Sequence, residues 1–390
     1  MIHEFIILAN FFKHREVKID NAVFTLHYRV TSSLLFGSCV IIPLLMQYLS
    51  AITCIYSSKD IDEDFLNNYC WIKGTFTVKK CAAYGRDSAP YYGIQQNLPS
   101  DEIFHHTVYI WFPFILFVHG AFFYLPRYLW KSLEDGHVKQ LVSELRGEDN
   151  KIDEGAKDER KKGLVNYLHR NMGYYNLYFA SYCLCEGLNL INVLAQIFIA
   201  ERIYHFNEFG VEMVRYLSRP SLTDVSGLNN VTEYNLGSKQ EWIYNKFSKV
   251  ERTCYDDVHP MLKFFPTITT CKFEHFGPTG QRVHVDGLCM LPVNLFMQMF
   301  FSFLWFWFFF VSLVTALNVV YRFVTIISPR IRLALLKSRL ALVDDKDLER
   351  ILRKFRAGDW FILYQLTKNL NSVICKDVVE DLASKISRAD

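Results

Sequence analysis

Charged residues are scarce in this chain of 390 residues, at 21% of the total, and four long stretches have almost none. Lys and Arg number 43 against 40 Asp and Glu, so a net charge of +3 gives no support for a nucleic-acid partner. Cysteine, with 10 residues, is too rare for a small disulfide-rich scaffold. The chain also lacks a phosphate-binding glycine loop, a GxSxG nucleophile elbow and an HExxH metal motif. Neither catalytic activity nor a bound cofactor or metal is therefore expected.

What the chain has instead is apolar sequence, with hydrophobic residues making up 51% of it. A helix that crosses a bilayer core needs about 20 mostly apolar residues. The stretches with almost no charge are longer than this, and they cover residues 30–58, 103–126, 171–200 and 287–321. None shows the polar stripe of a soluble amphipathic helix. We predict transmembrane helices at residues 30–56, 103–126, 174–200 and 291–321.

The distribution of Lys and Arg predicts the orientation of these helices. Basic residues are denser in residues 1–29, 127–173 and 322–390 than in residues 57–102 and 201–286. The positive-inside rule then places both termini and the 127–173 loop in the cytoplasm and the other two loops outside. The chain's Asn-x-Ser/Thr acceptor, Asn230, lies in the second outward loop and is a candidate for glycosylation.

Six of the cysteines lie in or at the edges of the two outward loops, where an oxidising environment favours disulfides. They are Cys54, Cys70, Cys81, Cys254, Cys271 and Cys289. Six cysteines permit fifteen connectivities, and their spacing does not rank them. The two loops are nevertheless predicted to form one disulfide-linked cap.

Local patterns predict further elements in the loops and the tail. Apolar and polar residues alternate over 267–273, and Gly277-Pro278-Thr279-Gly280 follows, which predicts a strand and a turn. Residues 330–343 and 347–356 are typical of basic amphipathic helices. The predicted fold class is an all-α membrane protein with four transmembrane helices, an α/β extracellular cap and a cytoplasmic helical domain.

Four ionisable side chains within or beside the predicted spans are candidate functional groups. His105, His106 and His119 fall in the second span, where polar interfacial or pore-facing roles are favoured over a metal site. Glu186 is the single acid inside a span. Such an acid requires a partner or water, so an interhelical hydrogen bond is favoured and an ion-path role is the alternative.

Several motifs in this sequence resemble those of the innexins, the invertebrate gap-junction and hemichannel proteins related to pannexins. The resemblance runs from about residue 15 to 385, in order. The motifs that carry it are Tyr69-Cys70-Trp71-Ile72, Tyr124-Leu125-Pro126-Arg127, Cys185-Glu186-Gly187-Leu188-Asn189, Phe265-Pro266-Thr267-Ile268, Leu288-Cys289-Met290-Leu291-Pro292 and Gly358-Asp359-Trp360-Phe361.

The sequence also departs from the family pattern at several places. The family signature Tyr-Tyr-Gln-Trp-Val-Pro is replaced here by Val108-Tyr109-Ile110-Trp111-Phe112-Pro113. Cys81 and Cys254 are additional to the family's two cysteines in each loop. The chain therefore resembles a divergent member of the family.

The resemblance implies a subunit of a large-pore channel in the plasma membrane, arranged as a ring that is an octamer in known innexins. The ring would be a homo-oligomer or a mixed ring with other innexins, embedded in membrane lipid. Docking of two rings from apposed cells would form a gap junction that passes ions and small molecules. An undocked, pannexin-like hemichannel that releases solutes is the alternative, and a four-span enzyme or transporter is a third reading.

The resemblance further implies site residues. The family's disulfide pattern pairs the first cysteine with the last and the inner two with each other. It joins Cys54 to Cys289 and Cys70 to Cys271, which leaves Cys81 and Cys254 for a third bridge. Residues 1–29, in particular Met1 to Phe12, and the first span are the expected pore funnel, and an amphipathic helix on the membrane surface is the alternative for Met1 to Phe12. The pore-lining or gating candidates are Met1, Ile2, His3, Phe5, Ile6, Leu34, Leu35, Pro113 and Glu186.

Overall fold

The structure is a computed structural model that describes residues 17–56, 62–78, 94, 103–143, 145, 154–204, 210–211, 213–215, 264–277 and 279–389. Four helices within these ranges are long and apolar enough to cross a membrane. They are α1 (Ala22–Tyr48), α3 (Val108–Glu134), α6 (Asn176–Tyr204) and α7 (Val293–Ile327). The prediction of four membrane-spanning helices is confirmed at this level, whereas the side of the membrane that each loop faces stays a prediction.

Two of these helices begin well away from the predicted residue, whereas α6 and α7 begin close to it. Helix α1 starts at Ala22, ahead of Arg29, because the Asn21 side chain caps its first turn by accepting from the Phe24 N–H at 2.7 Å. Helix α3 starts later than predicted because residues Ile103–His106 pair as a strand instead. The chain divides into two compact units, each of which contains part of all four long helices.

The first unit comprises residues 1–33, 120–194 and 310–390. Besides the ends of the long helices it contains α4 (His137–Ser143), α5 (Glu154–Arg170), α8 (Pro329–Lys337), α9 (Asp345–Lys354), α10 (Ala357–Asn369) and α11 (Ser372–Ala389). The two amphipathic helices predicted in the tail are present as α8 and α9. Helix α10 is buried over most of its length and has no polar stripe, so amphipathic periodicity does not reveal it.

One hydrophobic core fills the first unit. Its largest side chains are Trp130, Tyr182, Trp360 and Phe361, none more than 1% exposed. Phe361 lies 4.8 Å from Tyr182 and 4.9 Å from Phe179 between ring centroids. The core thus joins the start of α6 to α10, which follows it by more than 150 residues in the sequence.

The second unit comprises residues 34–119 and 195–309 and holds a five-stranded antiparallel sheet. Its strands are β1 (Thr53–Ile55), β2 (Thr75–Val78), β3 (Ile103–His106), β4 (Ile268–Phe276) and β5 (Arg282–Met290), in the order β1-β5-β4-β2-β3. Helix α2 (Glu63–Lys73) connects β1 to β2. The hairpin of β4 and β5 from the second predicted loop therefore lies between β1 and β2, and β1 and β3 occupy residues that were predicted to belong to the first and second spans.

The longest pairing in the sheet is the hairpin of β4 and β5. The strand predicted from the alternation over 267–273 is confirmed as β4, and the predicted turn follows it. In that turn the Gly277 N–H donates to the Gln281 carbonyl at 2.8 Å, and Gly280 adopts a φ of +76°, a conformation that favours glycine.

Candidate functional site

Two disulfides fasten the sheet of the second unit. Cys54 on β1 faces Cys289 on β5 as a directly paired residue and is bonded to it, and Cys70 on α2 is bonded to Cys271 on β4. All four residues are buried. The resemblance implied the same two pairs. Cys81, Cys254 and Asn230 lie outside the described residues, so a third bridge and glycosylation stay predictions.

The sequence predicted His105 and His106 in the second long helix, but both residues belong to strand β3. Because successive strand residues point to opposite faces of a sheet, the two rings diverge. His106 is buried, and its Nε2 lies 2.9 Å from Thr77 Oγ1 on the neighbouring strand. Burial, with a smaller effect from His105, lowers the pKa of His106 to about 3. His106 is therefore a neutral hydrogen-bonding residue of the sheet.

His119 lies within α3, where its Nδ1–H donates to the Gln196 side-chain carbonyl on α6. Both side chains are buried, and the His119 ring packs 6.3 Å from the Phe308 ring on α7. This contact gives His119 the role of an interhelical polar residue. The described residues near it include no second histidine or carboxylate that would complete a metal site.

The structure places only some of the pore-lining candidates. Leu34 is partly exposed on α1, and Pro113 is partly exposed on α3. Leu35 is fully buried, which favours a packing role over contact with a pore. The candidates Met1, Ile2, His3, Phe5 and Ile6 lie outside the described residues.

Glu186 lies at the centre of a buried charged network in the first unit. Its Oε2 accepts from Arg322 Nε at 2.6 Å, and its Oε1 accepts from Arg322 Nη2 at 2.7 Å. This bidentate pair joins α6 to α7, and both side chains are less than 10% exposed. Two parallel charge-assisted hydrogen bonds are the strongest way to offset a buried carboxylate.

Two asparagines complete the coordination of the Glu186 carboxylate. Asn21 Nδ2 donates to Glu186 Oε1 at 2.7 Å, and Asn318 Nδ2 donates to the same oxygen at 3.2 Å. The structure thus agrees with the hydrogen-bonded interhelical contact favoured for Glu186, and its carboxylate is enclosed by partners from its own chain.

A second charged pair adds α3 to this arrangement. Asp20, immediately before α1, lies 3.1 Å from the Arg127 guanidinium, which also lies over the Tyr28 ring at 4.9 Å. Through Asp20 and Asn21, the residues that begin α1 bond to α3, α6 and α7. Ion pairs and hydrogen bonds therefore connect those parts of the four long helices that belong to the first unit.

Sequence reasoning did not identify Arg322 as the partner of Glu186. A signal was present, because Asn318 and Arg322 are four residues apart and so share one face of α7. Four aromatic rings surround the Arg322 guanidinium at centroid distances of 5.1–6.0 Å, and they belong to Tyr182, Phe361, Phe179 and Tyr321. This enclosure fixes the guanidinium in the plane that Glu186 requires.

The motif Gly358-Asp359-Trp360 locks α10 against the start of α6. A Cβ on Gly358 would overlap the Tyr175 backbone, so only glycine permits this approach. Asp359 accepts from the Gly173 N–H at 2.8 Å and from the Arg356 N–H at 3.0 Å. The motif therefore holds the tail against the third long helix by close backbone packing and hydrogen bonds.

Helix α1 contains a π-helical segment, Leu26–Thr31, that positions a buried histidine. His27 Nε2 lies 2.7 Å from Thr315 Oγ1 on α7, and the Thr315 hydroxyl donates to the Val311 carbonyl. His27 is consequently the donor in its contact with Thr315. The wider turn of a π-helix is often found at functional positions, and here it directs a polar side chain toward α7.

Comparison with known proteins identifies the family. A family model named Innexin matches residues 20–386. Innexin shaking-B from Drosophila melanogaster is 36% identical over 384 residues, which is 97% of this chain and 93% of the relative. Innexin inx2 from Schistocerca americana is 34% identical over 375 residues, covering 95% and 94% of the two chains. Innexin inx2 from Drosophila melanogaster is 32% identical over 377 residues, covering 95% and 92%. With its four long apolar helices and its disulfide-linked sheet, the chain belongs to the innexin family.

Proposed function

We propose that this innexin is a subunit of a large-pore channel that forms gap junctions and passes ions and small molecules between cells. The observation that carries the proposal is the family match over residues 20–386, which includes all four long helices and the whole sheet. A passive pore requires helices that span the membrane and a rigid end surface, and no nucleotide site.

The cap is the proposed docking end of the subunit. Its two disulfides connect residues 235 and 201 positions apart, so strands from distant loops form one sheet. A cross-linked sheet loses little conformational freedom when a second surface binds it, which favours docking. The positive-inside rule supports placing this sheet outside and both termini in the cytoplasm.

Assembly into a ring is supported by the surface of the long helices. Helix α7 exposes large apolar side chains that require lipid or a neighbouring subunit: Phe303, Phe306, Phe309, Phe310, Leu313 and Leu317. An octamer is expected by resemblance, either homomeric or mixed with other innexins. Residues 1–29 and the first part of α1 are the proposed pore funnel.

Paired-cell recording tests this function. Cells expressing the wild-type chain in both partners should show junctional conductance, and Cys70→Ser with Cys271→Ser should abolish it because the cap loses one cross-link. Cys375→Ser is the matched control, since this buried cysteine is not bonded to another. Surface biotinylation establishes that each variant reaches the plasma membrane.

The outcomes separate the candidate functions. Dye uptake by single cells without junctional conductance would support the hemichannel, which is less favoured because its specific support is Asn230, outside the described residues. Wild-type protein at the surface with neither activity would contradict the channel proposal. Glycosidase treatment of wild type and of Asn230→Gln tests the orientation separately.

A further inference from the structure

The two disulfides of the cap lie against each other in its core. Cys54 Sγ and Cys289 Sγ, which are bonded, both lie within 4.8 Å of Cys70 Sγ, which belongs to the other bridge. The fourth sulfur, Cys271 Sγ, is not part of this close group. A metal requires a thiolate, and each of the three sulfurs is already bonded to another, so the intact group is not a metal site. Cys70 is the sulfur at which the two bridges meet.

Helix α2 brings Cys70 to this position. The Asn67 side chain accepts from the Cys54 N–H on β1 at 2.7 Å, and the Tyr69 ring lies 4.9 Å from the Phe273 ring on β4. Strand β5 lies between β1 and β4 in the sheet. Because α2 contacts both strands that flank β5, Cys70 is held beside the bridge that joins β1 to β5.

Apolar side chains enclose the four sulfurs. The cysteines pack with Leu66, Phe273 and Leu291 in one hydrophobic cluster, and none of the four is more than 3% exposed. The closed cap therefore shields both bridges from soluble thiols. The weakest part of this enclosure is β1, which has three residues and lies at the edge of the sheet. Short edge elements open at a lower free energy than the whole fold, and β1 carries Cys54.

Opening one bridge beside the other leads to thiol–disulfide exchange. A soluble thiolate that attacks Cys54 Sγ forms a mixed disulfide with it, and the broken bond releases Cys289 as a thiolate. The Cys289 thiolate lies within 4.8 Å of Cys70 Sγ and displaces Cys271 from it. This step forms a Cys70–Cys289 bond, and Cys271 takes up the proton that the soluble thiol gave up. Two disulfides exist before and after the exchange, so no oxidant is required.

Attack on Cys289 in place of Cys54 ends at the same residue. The Cys54 thiolate is then released and attacks Cys70 Sγ, and the product is a Cys54–Cys70 bond with Cys271 again free. Proximity favours either second step over attack by another soluble thiol, because reacting groups held together behave as if they were highly concentrated. Cys271 is thus the leaving group by both routes.

We propose that the two disulfides form an exchange relay, in which a soluble thiol compound that opens the Cys54–Cys289 bridge transfers the bond to Cys70 and releases Cys271. Helix α2 then becomes bonded to β1 or β5 and loses its covalent link to β4. The relay goes beyond the proposed channel function, because it makes the cross-links of the cap sensitive to extracellular thiols. Only the outward placement of the cap rests on the proposed orientation.

Two single variants that remove the same bridge test the relay. Cys271→Ser leaves the Cys70 thiol beside the Cys54–Cys289 bond, and Cys70→Ser leaves Cys271, which is outside the close group. The purified full-length protein in detergent is alkylated, digested without reduction and mapped, since trypsin places all six outward-loop cysteines on different peptides. Non-native bonds to Cys54 or Cys289 should be about tenfold more abundant in Cys271→Ser, because only the Cys70 thiol lies within reach.

Wild type treated with reduced glutathione tests the same step without a substitution. Quenching with an alkylating reagent should give glutathione on Cys54 or Cys289, an alkylated Cys271 and a new bond between Cys70 and the remaining sulfur. Glutathione on Cys54 with a free Cys289 and an intact Cys70–Cys271 bond would contradict the relay, since the two bridges would then react independently.

Three other outcomes would also overturn the relay. Equal rearrangement in both variants would show that the position of the remaining thiol does not matter, and native Cys54–Cys289 pairing in both would show that Cys70 does not attack. Wild-type bridges that resist glutathione while the protein stays folded would likewise exclude it. If Cys271→Ser fails to fold, the wild-type experiment still decides. None of these readouts depends on junctional conductance, so the relay and the proposed function fail separately.

Discussion

Asn21 donates from Nδ2 to the Glu186 carboxylate at 2.7 Å while its Oδ1 caps the first turn of α1. The Asn21 side chain thereby caps the start of α1 and also hydrogen-bonds α1 to α6. The arrangement suits an amide, because a carboxylate at this position could accept from the Phe24 N–H but could not donate to Glu186.

Substitutions at Asn21 should separate the cap from the contact with Glu186. Asp caps helices about as well as Asn, so Asn21→Asp would be harmless if capping were the whole role. We expect it instead to lower the unfolding midpoint more than Asn21→Ser, because it places a second carboxylate beside Glu186. Thermal unfolding in detergent measures the order, and equal midpoints for Asp and wild type would contradict it.

The pair of Glu186 and Arg322 should behave as a coupled unit. Arg322→Met leaves a buried carboxylate without its cation and should cost about 3–5 kcal/mol. The double variant Glu186→Met with Arg322→Met should recover much of this loss, since no charge then remains buried. Unfolding in denaturant measures the cycle, and the exposed pair Arg350 and Asp347 serves as a control with little expected change. Additive effects at Glu186 and Arg322 would refute the coupling.

Gly358→Ala should destabilise the first unit. The new methyl group would meet the Tyr175 backbone, which cannot rotate away, at a cost of about 1–3 kcal/mol. Gly163→Ala is the matched control, because its Cβ would meet nothing and alanine favours the helix interior by about 0.5–1 kcal/mol. The two variants should therefore shift the unfolding midpoint in opposite directions. A neutral Gly358→Ala would mean that α10 and α6 are less closely packed than described.

The sheet should lose stability in acid through His106. The pKa of its ring is about 3 in the folded protein, because of burial, against an ordinary value of 6.5. As the pH falls, the unfolded chain therefore takes up the proton before the folded protein does. The contribution of neutral His106 to the free energy of unfolding is complete above pH 6.5 and is lost as the pH falls toward 3.

A substitution that cannot titrate isolates this effect. His106→Gln keeps a polar group near Thr77 and should flatten the fall of the unfolding midpoint between pH 6.5 and 3. Identical slopes for His106→Gln and wild type would assign the acid sensitivity to other groups.

Composition alone predicted the long helices, because a charge-free stretch is a local property. The partners of Glu186 were not predictable in the same way, since Arg322 is 136 positions away and Asn21 is 165 positions away. The sequence established that a buried acid needs a partner, and only the packing of α6 against α7 shows which residue provides it.

His105 and His106 illustrate the opposite case, in which a local pattern misled. An apolar context following a charged loop favoured a helix at 103–106, but pairing with β2 draws these residues into a strand. Strand pairing across 29 positions leaves little trace in the sequence of either strand. The helices of the tail show a similar limit, since α10 is buried over most of its length and lacks the periodicity that reveals α8 and α9.

The spacing of the disulfides has a consequence for biosynthesis. At the roughly 5–20 residues per second of translation, the 201 and 235 positions between bonded cysteines correspond to about 10–50 s. During this interval Cys54 and Cys70 have been made and their partners have not. Each nascent chain must therefore keep two reactive thiols from bonding to each other until its last long helix is being synthesised, and oxidation that comes too early would trap it in the wrong form.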